Sequence, residues 1–143
     1  MSFDLKHFDR FVVILWRSLP VMADVERLQR ALEQAYREAK RPLVVVVHVP
    51  PSLDGVPETD VRDAMVGRMR RLLNTSTCES MHTVVTQPGV AGSMQRTVMR
   101  GMAVVVGLRR QLFVHDSVAS CVARLRALGA EPSELARVEQ ALR

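Results

Sequence analysis

Two histidines lie where apolar runs end, the position at which a side chain of a parallel sheet can take part in chemistry. His48 is near the end of the run 43–49, and His115 closes a shorter run just before Asp116. The carboxyl ends of parallel strands line the usual ligand crevice, so these residues could form a general-base pair or a metal site. No third ligand has suitable spacing, and His82 starts its own run, which predicts the opposite rim. We therefore predict no catalytic residue, no metal ligand and no cofactor.

A glycine-containing turn before a predicted helix is a candidate anion site. Backbone N–H groups at a helix N-terminus can bind a phosphate or carboxylate when glycines let it approach, and arginines one and two turns further on would add positive charge. The residues are Gly89, Gly92, Ser93, Arg96 and Arg100. The Gly-Lys-Ser/Thr ending of a P-loop is missing. A Pro-Gly turn followed by a helix cap explains the same residues, and we favour that interpretation.

Flexible methionines suggest a surface that adapts to a partner. Two of them lie on the predicted second helix, which follows a proline-rich loop over residues 50–57. If the loop and this helix bind another protein, the candidate contact residues are Ser52, Asp54, Thr59, Arg62, Met65 and Met69. The third predicted helix is apolar on several sides, which also favours a shared interface, although core packing would use the same residues.

Composition narrows the class of protein. The 143 residues are 48% hydrophobic and 24% charged, which is ordinary for one globular domain, and the formal charge is +5. The basic residues are spread along the chain apart from the groups 68–71 and Arg109-Arg110, and aromatic residues do not interleave with them, so nucleic-acid binding is not expected. Cys78 and Cys121 lack metal-type spacing, no signal segment opens the chain, and no run is long enough to span a membrane. These features predict a cytoplasmic protein with free thiols.

Hydrophobic periodicity predicts the elements that must position these residues. The β-branched run 43–49 reads as a strand covered on both faces, and residues 3–17 as a β-hairpin turning at Asp9-Arg10. Asp24 is a candidate N-cap for the first helix, and Gly107 is predicted to end the third. The predicted helices are about 24–40, 58–74, 91–106, 117–128 and 133–142. Strands alternating with helices predict one α/β domain over residues 1–143, with a mixed, mostly parallel sheet of about five strands packed with four to five helices.

This order of elements resembles the STAS domain, the fold of the anti-sigma-factor antagonists, and the broader SpoIIAA-like group. An N-terminal hairpin is followed by three helix–strand units and a terminal helix, over about Phe3 to Leu128. The segment from Leu112 to Val122 is similar to the end of those domains, where a short strand precedes a helix. In the antagonists, a Ser or Thr at the start of the second helix is phosphorylated. The runs 52–55 and 58–60 do not match that motif, so we do not carry the phosphorylation switch over.

The resemblance implies a small, non-catalytic module that binds another protein through the second helix and its preceding loop. We predict a regulatory protein of a bacterial type, and the apolar third helix leaves association with a second copy of itself as an alternative. The alternative function is binding of a small molecule, an anion or a lipid, at the rim of the sheet formed by His48, the segment 89–93, Arg96 and His115.

Overall fold

A computed structural model describes residues 2–106 and 111–143, so Gly107 and the pair Arg109-Arg110 lie outside the described residues. The strands are β1 (Phe3–Phe8), β2 (Phe11–Trp16), β3 (Leu43–Val49), β4 (Cys78–Val85) and β5 (Leu112–His115). The helices are α1 (Met22–Ala39), α2 (Thr59–Asn74), α3 (Gly89–Val106), α4 (Val118–Ala127) and α5 (Pro132–Ala141). In the part of the chain that is described, no helix is long and apolar enough to cross a membrane.

The five strands form one sheet in the order β1-β2-β3-β4-β5. β1 pairs with β2 in antiparallel orientation, and the other three pairs are parallel. The predicted α/β class, with a mostly parallel sheet of about five strands and four to five helices, is therefore confirmed. Each of α1, α2 and α3 connects two neighbouring parallel strands, and right-handed connections of this kind place all three helices on the same side.

The sheet has two covered faces, which we name by the helices that cover them. The crossover face packs against α1, α2 and α3 and presents residues such as Val12, Ile14, Val45 and Val85. The terminal face packs against α4 and α5. It presents Phe11, Val13, Val44, Val46 and Val84, which meet Cys121, Leu125 and Val138. Burying each of these side chains contributes about 1.5–3 kcal/mol, so both faces stabilise the fold.

Two local predictions have different outcomes. Asp9 adopts a left-handed conformation, with φ of 53°, in the tight turn between β1 and β2, as the hairpin prediction requires. Asp24 was predicted to be the N-cap of the first helix, and that is wrong because the helix begins at Met22. Its Oδ2 accepts a hydrogen bond from the Val21 backbone N–H at 2.9 Å, so the carboxylate stabilises the helix start from inside the first turn.

Candidate functional site

An apolar cavity lies between the crossover face and the helices that cover it. Its volume is about 100 Å³, roughly eight times the 10–15 Å³ that a single water requires. The lining from the sheet includes Ile14, Val45 and Val47, and the helices contribute the methionines Met65, Met69, Met99 and Met102. Unbranched thioether side chains can rearrange around a guest molecule, so this wall of the cavity is adaptable.

Gln95 on α3 is the buried polar residue of this cavity, with 2% of its surface exposed. Its Nε2 donates to the carbonyl oxygens of Leu53, at 2.6 Å, and Gly55, at 2.9 Å. These bonds hold the loop between β3 and α2 against α3. Its Oε1 has no hydrogen-bond partner among the described residues. A buried acceptor without a donor is costly, so this oxygen favours a ligand that carries a hydrogen-bond donor.

Arg68 supplies a cation at the cavity. Its side chain is 39% exposed, and its Nη2 lies 3.8 Å from Glu26 Oε1 on α1. This ion pair joins α1 to α2 across the cavity lining. Because the pair is largely solvated, it contributes little stability. The guanidinium of Arg68 therefore remains accessible to a polar group of a ligand.

The predicted partner-binding residues fall into two groups. Met65 and Met69 are half-buried and line the cavity. The others lie on the outer surface of the loop and helix start. Ser52 and Asp54 are exposed there, Asp54 Oδ1 accepts from Gln87 Nε2 at 2.6 Å, and Thr59 Oγ1 accepts from Arg62 Nη2 at 3.1 Å. The six residues are thus divided between the cavity lining and the outer surface, and partner binding by them stays a prediction.

The predicted anion-binding residues surround the start of α3. Gly89 has a φ of 72°, Gly92 is buried, and Ser93 and Arg100 are exposed. Arg96 Nη1 donates to the carbonyl oxygens of Val85, at 3.1 Å, and Gln87, at 3.2 Å. This guanidinium thus ties α3 to the end of β4 and the loop that follows. Anion binding here stays a prediction.

The histidine placement differs from the predicted one. β4 begins at Cys78, so His82 lies in the middle of the strand, and its expected position at the opposite rim is wrong. Val84 pairs with both His48 and His115 and therefore separates them. Two strand spacings, about 9.6 Å, therefore lie between their backbones. Instead His82 Nδ1 lies 3.3 Å from His115 Nε2 on the terminal face.

A buried polar cluster surrounds these two rings. His82 Nε2 lies 3.0 Å from Ser80 Oγ, and His115 Nδ1 lies 3.2 Å from Ser120 Oγ. The fully buried Cys121 of α4 places its Sγ beside them: one ring nitrogen from each histidine and this sulfur all lie within 4.8 Å of one another. We call His82, His115 and Cys121 the His–Cys cluster.

Burial sets the protonation of the cluster. Desolvation, with smaller contributions from His115 and Arg124, lowers the pKa of His82 to about 3. Desolvation and then Arg124 lower the pKa of His115, although Asp116 opposes them. Desolvation raises the pKa of the Cys121 thiol to about 12. At neutral pH both rings are therefore neutral and the thiol is protonated, a state in which the sulfur is a poor nucleophile.

Sequence reasoning missed Gln95 and the His–Cys cluster. A glutamine in an amphipathic helix carries no signal of burial, since the same residue is common on exposed faces. The signal for the cluster is the period of two in strands: His82 and Val84 share a face, as do Phe113 and His115. The pairing register between β4 and β5 brings these residues together, and it is not readable from either strand alone.

Comparisons with protein-family models, with curated proteins and with solved structures gave no match to this chain.

Proposed function

We propose that this protein binds a small apolar ligand in the cavity between the crossover face and α1–α3. The observation that carries the proposal is the cavity itself, about 100 Å³ of space, whereas protein interiors are normally close-packed. Empty space of this size destabilises a fold, because the lining atoms lose contacts that a guest would restore. Methionines from two helices form its adaptable wall.

The polar end of the ligand is suggested by Gln95. Its Oε1 is a buried acceptor with no partner in the described part of the chain. An apolar molecule with one hydroxyl group would place its chain among the methionines and donate its O–H to this oxygen. Each hydrogen bond of this kind adds about 0.5–1.5 kcal/mol, equivalent to a factor of roughly 2–13 in affinity.

The first experiment measures thermal stability with medium-chain n-alkanols as probes. A bound ligand at about 100 times its dissociation constant adds about 2.7 kcal/mol, which raises the melting temperature by about 10 °C for a domain of this size. Ala103→Leu fills the cavity, since Ala103 is buried in its lining. Ala123→Leu is the matched control on the exposed side of α4. Stabilisation should be lost in A103L and kept in A123L.

The second experiment compares each alkanol with its methyl ether, which has the same chain but no donor. The alkanol should bind more tightly by the factor given above, and Gln95→Met should remove the difference. Equal shifts in A103L and A123L would contradict binding in the cavity. Equal affinity for alkanol and ether would contradict only the role of Gln95.

We propose as a second candidate that the chain is a STAS-like regulatory module of the cytoplasm that associates with a second copy of itself. The observed order of hairpin, three helix–strand units and terminal helices supports this assignment. An exposed apolar stripe along α3 supports the self-association. It is formed by Val90, Met94 and Val104, which are 81%, 60% and 51% exposed. Thr97 and Gly101 lie between them at helical spacing and would let a second α3 approach closely.

Light scattering after size-exclusion chromatography, over a dilution series, tests this candidate. The wild type should dimerise with a concentration-dependent mass. Met94→Lys should abolish dimerisation, because it places a charge in the stripe. Val21→Lys is the control, since Val21 is equally apolar and 54% exposed but lies just before α1. A monomer at every concentration would contradict self-association.

A further inference from the structure

Three potential metal ligands meet on the terminal face, and each comes from a different element. His82 lies on β4, His115 ends β5 and Cys121 lies on α4. Their exposed fractions are 0%, 6% and 0%. Zinc and copper bind imidazole nitrogen and thiolate sulfur, whereas calcium and magnesium prefer oxygen ligands.

The serines orient both rings. Because Ser80 Oγ contacts His82 Nε2 and Ser120 Oγ contacts His115 Nδ1, the two remaining nitrogens are the ones that face each other. A hydrogen-bond acceptor on the second ring nitrogen fixes the orientation and the tautomer of a metal-binding histidine, and each serine oxygen is placed to act as one. If His82 Nε2 and His115 Nδ1 both donate to serine, the lone pairs of His82 Nδ1 and His115 Nε2 face each other at 3.3 Å. A cation bound by both nitrogens would stabilise this contact.

The separation of the two ring nitrogens fits a tetrahedral ion, although both rings would have to turn to direct their lone pairs at it, since the rings now meet edge to edge with centroids 5.5 Å apart and planes 8° apart. Two nitrogens bound about 2.05 Å from a tetrahedral ion lie about 3.3 Å apart, the separation found between His82 Nδ1 and His115 Nε2. A nitrogen and a sulfur in the same coordination shell lie about 3.5 Å apart, within the 4.8 Å that encloses all three donor atoms. Rotation of the Cys121 side chain would close the remaining distance. A solvent molecule would complete the shell.

We propose that His82, His115 and Cys121 bind a thiophilic divalent metal ion of the zinc type, which fastens α4 to β4 and β5. The S–H bond of Cys121 breaks as the metal–sulfur bond forms, and its proton passes to solvent. Arg124 works against the site: its guanidinium lies 5.0 Å from the centre of the Phe113 ring, which stacks on His82 at 4.8 Å. Arg124 is exposed, so solvent screens its charge.

The experiment titrates chelator-treated protein with Zn²⁺ and with Co²⁺, whose absorption reports its ligands. The expected result is one ion per chain, one proton released and a thiolate-to-cobalt band in the near ultraviolet. Cys121→Ala should abolish the band. Cys78→Ala is the matched control, because Cys78 is an equally buried thiol packed in the core of the crossover face. The C78A variant should keep the band and the stoichiometry.

Substitutions of residues next to the ligands distinguish a metal site from a chance grouping of side chains. Ser120→Ala changes an exposed residue and leaves the ligands in place, so it should weaken Zn²⁺ binding by about 10–100-fold without unfolding the protein. Arg124→Gln should strengthen it. The proposal is overturned if the wild type binds no ion, or if ions bind equally in wild type and C121A. Either result would leave Ser80, His82, His115 and Ser120 as a metal-free chain of hydrogen bonds.

Discussion

Replacing Gly92 with alanine tests how closely α3 packs against the end of β4. A Cβ atom built at this position would lie 1.6 Å from the carbonyl oxygen of Gln87 and 2.6 Å from its carbonyl carbon. Real Cβ contacts essentially never fall below 3.0 Å, so α3 and the preceding loop would have to separate by about 1.4 Å. The backbone of Gly92 does not have a positive φ, so the expected effect is purely one of space.

The magnitude follows from the contacts that such a separation disturbs. Overpacking costs about 1–3 kcal/mol. The bonds from Arg96 to the carbonyl oxygens of Val85 and Gln87 span the same gap, and each charged hydrogen bond that weakens costs up to about 1.5–3 kcal/mol. Alanine recovers about 1 kcal/mol through its higher helix propensity. With one of the two bonds lost, these contributions lower the free energy of unfolding of Gly92→Ala by about 1.5–5 kcal/mol.

Urea unfolding with constant m-values measures this change directly. Gly67→Ala is the matched control, since Gly67 lies exposed in the helix α2 and a Cβ there would meet nothing within 4 Å. That variant should be more stable than wild type by about 0.5–1 kcal/mol. If G92A remains within about 0.5 kcal/mol of wild type, the close approach of α3 to Gln87 is wrong. A loss of stability would also identify Gly92 as a packing residue, whether or not an anion binds nearby.

Two further predictions concern the buried titratable groups. In chelator, the contribution of His82 to stability should fall by about 2 kcal/mol between pH 7 and 5, because unfolded His82 takes up a proton near pH 6.5 whereas folded His82, with a pKa of about 3, does not. This contribution therefore rises with pH across the window. Urea unfolding of His82→Gln should show a correspondingly smaller pH dependence, and an equal one would contradict the burial of a neutral ring. In metal-free protein, Cys78 and Cys121, whose pKa values burial raises to about 12, should react with a thiol reagent at pH 8 only at the rate of unfolding. Rapid modification of either thiol in the folded protein would refute this.

The fold is readable from the sequence because its elements carry strong periodic signals. The run Leu43–Val49 is bounded by prolines, and β3 has the same limits in the structure. The predicted helix ends lie within two residues of the observed ones. Asp24 shows why ends are harder: an acidic residue stabilises a helix start both as the N-cap and three positions later, and the sequence does not separate the two.

The sites were less accessible to sequence reasoning because they depend on contacts between elements. Met65 and Met69 were interpreted as part of a partner surface, which stays a prediction, and the cavity that they line was not foreseen. A helical stripe predicts which residues point inward, but whether the space they meet is filled depends on three helices and the sheet together. His82 was misplaced because the polar residues from Cys78 to Ser80 hide the true start of β4.

The alternation of side chains along β4 and β5 places the two proposed sites on opposite faces of the same strands. On β4, Met81 and Thr83 line the cavity, whereas His82 between them belongs to the His–Cys cluster. On β5, Leu112 lines the cavity and His115 belongs to the cluster. The sheet would separate an apolar ligand from a metal ion, so the two would not touch. Both would nevertheless bear on the same two backbones, because fixing His82 and His115 restrains the strands that carry the cavity lining. A metal ion on the terminal face would thus make the cavity more rigid without changing its chemistry, and any coupling between the two ligands would be carried by the pairing of β4 with β5.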